Sequence, residues 1–191
     1  MVETSIISFP ELTTKRLLLR RLGSSDDRDL LAIRSNQSVA AHIGRPITQS
    51  IEEVRVFIAK INEEIAQKGC LYWAISNKET ENLAGTICFW NFSLERDSAE
   101  IGYELHPDFQ GRGIMQEALE RVVAYGFETL QLQKIIAYVG ENNHPSIRLL
   151  VRNNFIRVDL AFEEKANKIE MDSITHGYML INPHSQVPSA Y

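Results

Sequence analysis

Cysteine is scarce. Cys70 and Cys88 are the only two in 191 residues, and each sits inside an apolar, strand-like run. Two such thiols make no disulfide framework; their setting reads as buried and reduced, which points to a reducing compartment. Long apolar runs are missing too. No stretch approaches the roughly 18 residues of a membrane span. The opening Met1-Val2-Glu3-Thr4-Ser5 has no basic segment followed by an apolar core, so no leader peptide is expected. Positive charge is in deficit, with 20 Lys and Arg against 25 Asp and Glu and a net charge of −5. That speaks against a nucleic-acid footprint. The expectation is a cytoplasmic protein that binds neither nucleic acid nor membrane. The five histidines, His42, His106, His144, His176 and His184, show no metal-ligand spacing. No Walker loop, Gly-x-Ser-x-Gly elbow, His-Glu-x-x-His site or Cys-x-x-Cys pair occurs. No metal is expected.

What is present is an ordinary globular composition, 44% hydrophobic and 24% charged. There is no repeat, low-complexity tract or linker. One domain is expected over 1–182, with 183–191 a flexible C-terminal tail. The chain alternates between strand and helix patterns. Lys15 to Leu22 reads as a strand, and Ser24-Ser25-Asp26-Asp27 as the start of a helix reaching about Ser35. Ile43-Gly44-Arg45-Pro46 reads as a loop. Ser50 and Glu53 make a capping-box pattern ahead of Val54, Phe57, Ile58, Ile61 and Ile65, with Gly69 as the stop. Leu71 to Ser76 and Leu83 to Trp90 read as a hairpin, and Glu100 to His106 as a strand halted by Pro107. Ile114 to Leu130 is an amphipathic helix, Lys134 to Val139 a strand and Pro145 to Arg152 a short helix. Phe155 to Phe162 and Ile169 to Leu180 read as a closing pair of strands. The fold class is α/β, a mixed sheet flanked by helices.

The chemistry gathers in two segments. In the first, a strand runs through Gln110-Gly111-Arg112-Gly113-Ile114-Met115 into a long helix. The glycines allow a sharp bend and a close backbone approach. The free amides and dipole of the helix start favour an anion, and Arg112 adds positive charge. A pyrophosphate suits such a turn; the glycines alone leave a plain strand-to-helix turn equally open. A dinucleotide fingerprint fits less well, because its third glycine position is Gln116 and no acidic residue ends the next strand. In the second segment, Asn143 is placed to cap the helix that carries Ser146, and Asn154 accepts the left-handed conformation at its end.

Together the segments resemble the GCN5-related N-acetyltransferases, in particular the branch of ribosomal-protein alanine and serine acetyltransferases. The branch's Gln/Arg-x-x-Gly-x-Gly/Ala turn stands as Gln110 to Met115, and its Glu-Ile-Gly-Tyr-x-Leu stretch as Glu100 to Leu105. Its Asn-x-x-Ser-x-x-Leu-Leu-x-Lys-x-Gly-Phe block appears as Asn143, Ser146, Leu149, Leu150, Arg152, Asn154 and Phe155. The opening Leu12-Thr13-Thr14-Lys15-Arg16-Leu17-Leu18-Leu19-Arg20 is similar too. Met115, Arg152 and Asn154 depart from the family's small residue, lysine and glycine, and remove no required group.

The resemblance implies a twisted, mostly antiparallel sheet split between its fourth and fifth strands and flanked by about four helices. It implies acetyl-CoA as co-substrate. The pantetheine arm would pair with backbone at Tyr103 and Leu105, the pyrophosphate with amides of Gln110, Gly111, Arg112, Gly113, Ile114 and Met115, and Asn143 would bond the arm. It implies Glu100 as base, with Glu104 in reserve should a bulge turn the strand. Ser146 would be the donor to the departing thiolate, with Tyr138 a second candidate. The acceptor is an amine on a protein, such as a ribosomal-protein N-terminus, or on a polyamine, antibiotic or small metabolite. Glu63, Glu64, Glu163, Glu164 and Glu170 could attract its charge. A non-catalytic acyl-CoA-binding module is the alternative, and a homodimer is compatible with either.

Overall fold

The computed structural model describes residues 9–158 and 175–184. Among them an eight-stranded sheet runs in the order β1-β2-β3-β4-β5-β6-β8-β7. The strands are β1 (Leu12–Thr13), β2 (Leu17–Arg21), β3 (Leu71–Asn77), β4 (Leu83–Trp90), β5 (Ser98–Leu105), β6 (Lys134–Gly140), β7 (Ile156–Val158) and β8 (Thr175–Ile181). Neighbours pair antiparallel except β5 and β6, which run parallel. Five helices flank the sheet: α1 (Asp27–Arg34), α2 (Gln37–Ile43), α3 (Ile51–Ala66), α4 (Ile114–Glu128) and α5 (His144–Arg152).

Both faces are covered, so β3 and β4 are buried almost along their length. One core joins Leu17, Leu19, Trp73, Ile75, Ile87 and Phe89 of the sheet to Ala118, Leu119 and Val122 of α4 and Leu150 of α5. A second core, on the other face, joins Tyr72, Ala74 and Leu83 to Leu30, Ile33, Val39, Val54 and Ile58 of α1–α3. Each fully buried Leu or Val contributes about 1.5–3 kcal/mol, so α4 is held by burial more than by helix propensity. Cys70 and Cys88 are free thiols. Burial pushes them up to about 11 and about 12, so both stay protonated at neutral pH.

Three local readings change. Asp26 does not cap α1 with its side chain. Its carboxylate is buried and takes two hydrogen bonds from Arg20, at 2.7 and 2.8 Å, and one from the Gly23 amide at 2.7 Å. Helix α2 occupies residues that carried no assignment, apart from Ile43 at the start of the segment read as a loop. Asn36 caps it by accepting from the amides of Ser38 and Val39, and Gly44 closes it at φ 68°. Only Val39 and Ala40 of its seven residues are buried, too few to show a periodic stripe. The short β1 adds a strand to the count, so the split expected between the fourth and fifth strands falls between β5 and β6. The Ser50 cap is as read, accepting from the Glu53 amide at 3.2 Å. Of the closing pair of strands, 159–162 and 169–174 lie outside the described residues. So does the tail from 185 onward.

Candidate active site

The parallel contact between β5 and β6 is brief. Ser98, Ala99 and Glu100 register with Lys134, Ile135 and Ile136, and no pairing follows although both strands continue. From Ile101 to Leu105 the β5 edge that faces β6 has no ladder partner among the described residues, while its other edge stays paired to β4. An extended ligand can supply the missing partner there by strand addition. The opening leads to the glycine turn. Pro107–Phe109 forms a single tight turn, Gln110 folds back to donate to Leu105 O at 3.1 Å, and Gly111 and Gly113 both take φ 71°. That conformation suits glycine and is strained for other residues. Gly113 is the N-cap of α4 and brings no side-chain acceptor, so first-turn amides keep their donor capacity at the positive end of a 15-residue helix. Residues 110–113 are exposed, whereas the Ile114 and Met115 side chains are buried in the core. The bulk of Met115 therefore points away from the turn's open side. The residues present fit a pyrophosphate-bearing thioester on two counts, an unpaired strand edge and a side-chain-free helix start.

A polar pair borders the opening on the α4–α5 face. Tyr103 Oη and Ser146 Oγ lie 2.6 Å apart. Ser146 is buried in the first turn of α5, where its amide donates to Asn143 Oδ1 at 3.2 Å. Asn143 is thus the helix cap the sequence indicated, and Asn154 takes φ 63° just past the end. Burial pushes the Tyr103 phenol up to about 12, against the opposing effect of the bond to Ser146. It therefore stays neutral at physiological pH and keeps a proton to donate.

The family model of the acetyltransferase (GNAT) domain matches residues 16–156, which include the turn, the split strands and α5. The chain belongs to the GNAT acetyltransferase family. It is 35% identical over 147 residues to an uncharacterized N-acetyltransferase, YoaA of Bacillus subtilis, covering 77% of this chain and 83% of the relative. Two solved structures share the fold. A putative ribosomal-protein-serine acetyltransferase from Vibrio cholerae has a TM-score of 0.78 at 22% identity, covering 90% of this chain and 97% of its own. A spermidine N-acetyltransferase from Vibrio cholerae, in complex with CoA and spermine, has a TM-score of 0.74 at 20% identity, covering 88% and 97%. The enzyme is an acetyltransferase.

In this GNAT fold the carboxylates stand on the other face of β5. Strand alternation sends Ala99, Ile101, Tyr103 and Leu105 toward α4, and Glu100, Gly102 and Glu104 toward α1–α3. No bulge interrupts β5 against β4, so Glu100 and Glu104 share a face. Their surroundings differ. Glu100 is half-buried and accepts from Asn91 Nδ2 at 2.5 Å; burial raises its carboxyl above the usual range, and the Asn91 bond partly opposes that. Glu104 is buried between Arg45 at 2.9 Å and Arg34 at 3.5 Å, with Thr86 at 3.5 Å. Each of its two oxygens is engaged by one guanidinium group. Tyr138 is exposed on β6 between Ala137 and Val139, both buried on the α4 side, so it faces away from Ser146.

Sequence reasoning placed Tyr103 by its backbone alone and missed its phenol as Ser146's partner. It also missed Asn91 beside Glu100. Neither pairing has a local signal, since 43 residues separate Tyr103 from Ser146. Of the acidic residues weighed for the acceptor, Glu63 is exposed on α3, while Glu163, Glu164 and Glu170 lie outside the described residues.

Proposed function

We propose that this GNAT enzyme acetylates a primary amine by direct attack in a ternary complex, with Glu100 as base and Ser146 as acid. The observation that carries the reading is the placement of these groups on opposite faces of one strand beside the opening. Glu100 faces the α1–α3 side and the Tyr103–Ser146 pair the α4–α5 side. The thioester arm would lie along the unpaired β5 edge at Tyr103 to Leu105. Its pyrophosphate would meet the amides from Gln110 to Met115, and Asn143 would border the arm.

The steps balance. Glu100 takes a proton from the ammonium, directly or through water, because an α-amine, with a reference pKa of about 7.7–8.0, is still mostly charged at neutral pH, and an alkyl amine, near 10.4, more so. The amine nitrogen forms a bond to the thioester carbonyl carbon, and the extra proton this leaves on the nitrogen passes to solvent. Main-chain amides on the β5 edge are the donors for the resulting oxyanion. The carbon–sulfur bond breaks and the thiolate takes a proton from Ser146 Oγ. Tyr103 Oη, at 2.6 Å, resupplies Ser146 and is later reprotonated from solvent.

The acceptor we favour is an α-amine on a protein N-terminus, as in the ribosomal-protein branch. The names of the solved neighbours support both that class and polyamines. Free thiol should be released when acetyl-CoA is incubated with peptides bearing ribosomal-protein N-termini, and less with spermidine. Faster release with spermidine would reassign the acceptor. Tight CoA binding with no release from any amine would make the chain a binding module.

A further inference from the structure

Arg16 lies far from the glycine turn in sequence and against it in space. It follows the tight connection between β1 and β2, whose Leu12, Leu17 and Leu19 are buried with α4. Its Nη1 donates to Arg112 O at 3.0 Å and its Nη2 to Gly113 O at 3.1 Å. Its Nε donates to Glu117 Oε2 at 2.6 Å, and its backbone amide to Glu117 Oε1 at 2.9 Å. Thr14 Oγ1 adds a third bond to that carboxylate, at 2.5 Å. One guanidinium thus ties two successive turn carbonyls to the first turn of α4.

The planarity of the peptide bond gives this contact a consequence. In a trans peptide the carbonyl oxygen and the next amide hydrogen point opposite ways. Fixing Arg112 O and Gly113 O toward Arg16 therefore turns the amides of Gly113 and Ile114 away from it. The Gly113 carbonyl is also held by the Glu117 amide, at 3.2 Å, so Arg16 adds most at the Arg112 carbonyl, which lies between two glycines at φ 71°, where glycine has the most freedom to lose on ordering. The same bonds restrain Glu117. An unpaired carboxylate in the first turn of α4 would repel a phosphate, and Arg16 and Thr14 hold it on their own side.

We infer that Arg16 is a positioning residue for acetyl-CoA, clamping the turn so that its amides are set for a pyrophosphate before the ligand arrives. Arg16 neither touches the thioester nor serves as the phosphate's counter-charge, since Glu117 neutralises it. The inference rests on the turn being the pyrophosphate site, as proposed above.

The test uses Arg16→Lys and Arg16→Gln in the full chain. Lysine keeps the charge and the backbone bond to Glu117 but does not present the planar fork that spans both carbonyls. Calorimetry should show the Kd for CoA rising roughly 10- to 100-fold in both variants, the size expected from losing charge-assisted hydrogen bonds. The Kd for 3′-phosphoadenosine 5′-diphosphate, which carries the pyrophosphate without the arm, should rise by the same factor. Hydrogen exchange of the ligand-free variants should quicken at 110–117 and stay unchanged in the sheet. A CoA Kd within twofold of wild type in Arg16→Lys overturns the clamp. So does loss of protection throughout the protein, or weakening of CoA without weakening of the pyrophosphate half. Wild-type protein that binds neither ligand refutes the cofactor site itself, a separate outcome. Should Arg16→Gln not fold, Arg16→Lys decides alone.

Discussion

At the scale of single residues, environment separates two glutamates four positions apart on one face of β5. Glu104 is bound by Arg34 and Arg45, whereas Glu100 meets one neutral donor, Asn91. Burial lifts the Glu100 carboxyl above an ordinary glutamate. A base must be unprotonated, so the acid limb of kcat/KM should fall at higher pH than an unperturbed glutamate would give. The Asn91 N–H favours the charged form, so Asn91→Ala should move that limb further up; a limb that stays or moves down would dissociate it from Glu100. Glu100→Gln should lower turnover by about 10²–10⁴-fold at neutral pH while CoA still binds, and the loss should shrink as pH rises and the amine deprotonates itself. Near-normal turnover in that variant would leave the amine losing its proton to water.

Among the elements, β4 and β5 approach more closely than a side chain allows. Gly85 faces Leu105, and a Cβ on Gly85 would lie 2.3 Å from Glu104 O, a main-chain atom with no freedom to yield. Gly85→Ala should force the strands apart, lowering stability by about 1–3 kcal/mol or more. It should also weaken CoA binding, because the displaced end of β5 carries the unpaired edge. Denaturant unfolding and CoA titration of one preparation would show both effects; a stable variant with normal CoA affinity would show that the approach can relax. Helix α2 illustrates the limit of local reading. Its cap, Asn36, and its terminal Gly44 are ordinary signals, yet seven residues with two buried positions give periodicity nothing to detect. The glycine turn is the reverse case. Its backbone demand is local, so residues 110–115 were legible, while Arg16 and Glu117, which brace it from 101 positions apart, were not.

For the molecule as a whole, acetyl-CoA should act as a ligand of the folded state alone. At a hundred times its Kd it should add about 2.7 kcal/mol, or roughly 5–10 °C in Tm for a chain of this length. NAD should add nothing, since the turn lacks the dinucleotide fingerprint's third glycine and ribose-binding acid. Scanning calorimetry with each ligand separates the two. No shift with acetyl-CoA at millimolar concentration would remove the cofactor assignment, and displacement of CoA by NAD would replace it.

The sequence by itself determined most of the elements and the glycine turn, because apolar period, caps and positive-φ glycines act over a few residues. It also carried the family through three ordered blocks. Tertiary structure decided what depends on which side chains meet. It set the faces of β5, the ion pairs of Glu104 with Arg34 and Arg45, the pairing of Tyr103 with Ser146 and the contact of Arg16 with the turn. The reason is physical: a strand's period places a side chain on one face or the other, but its partner there comes from whichever element the sheet order and packing bring beside it.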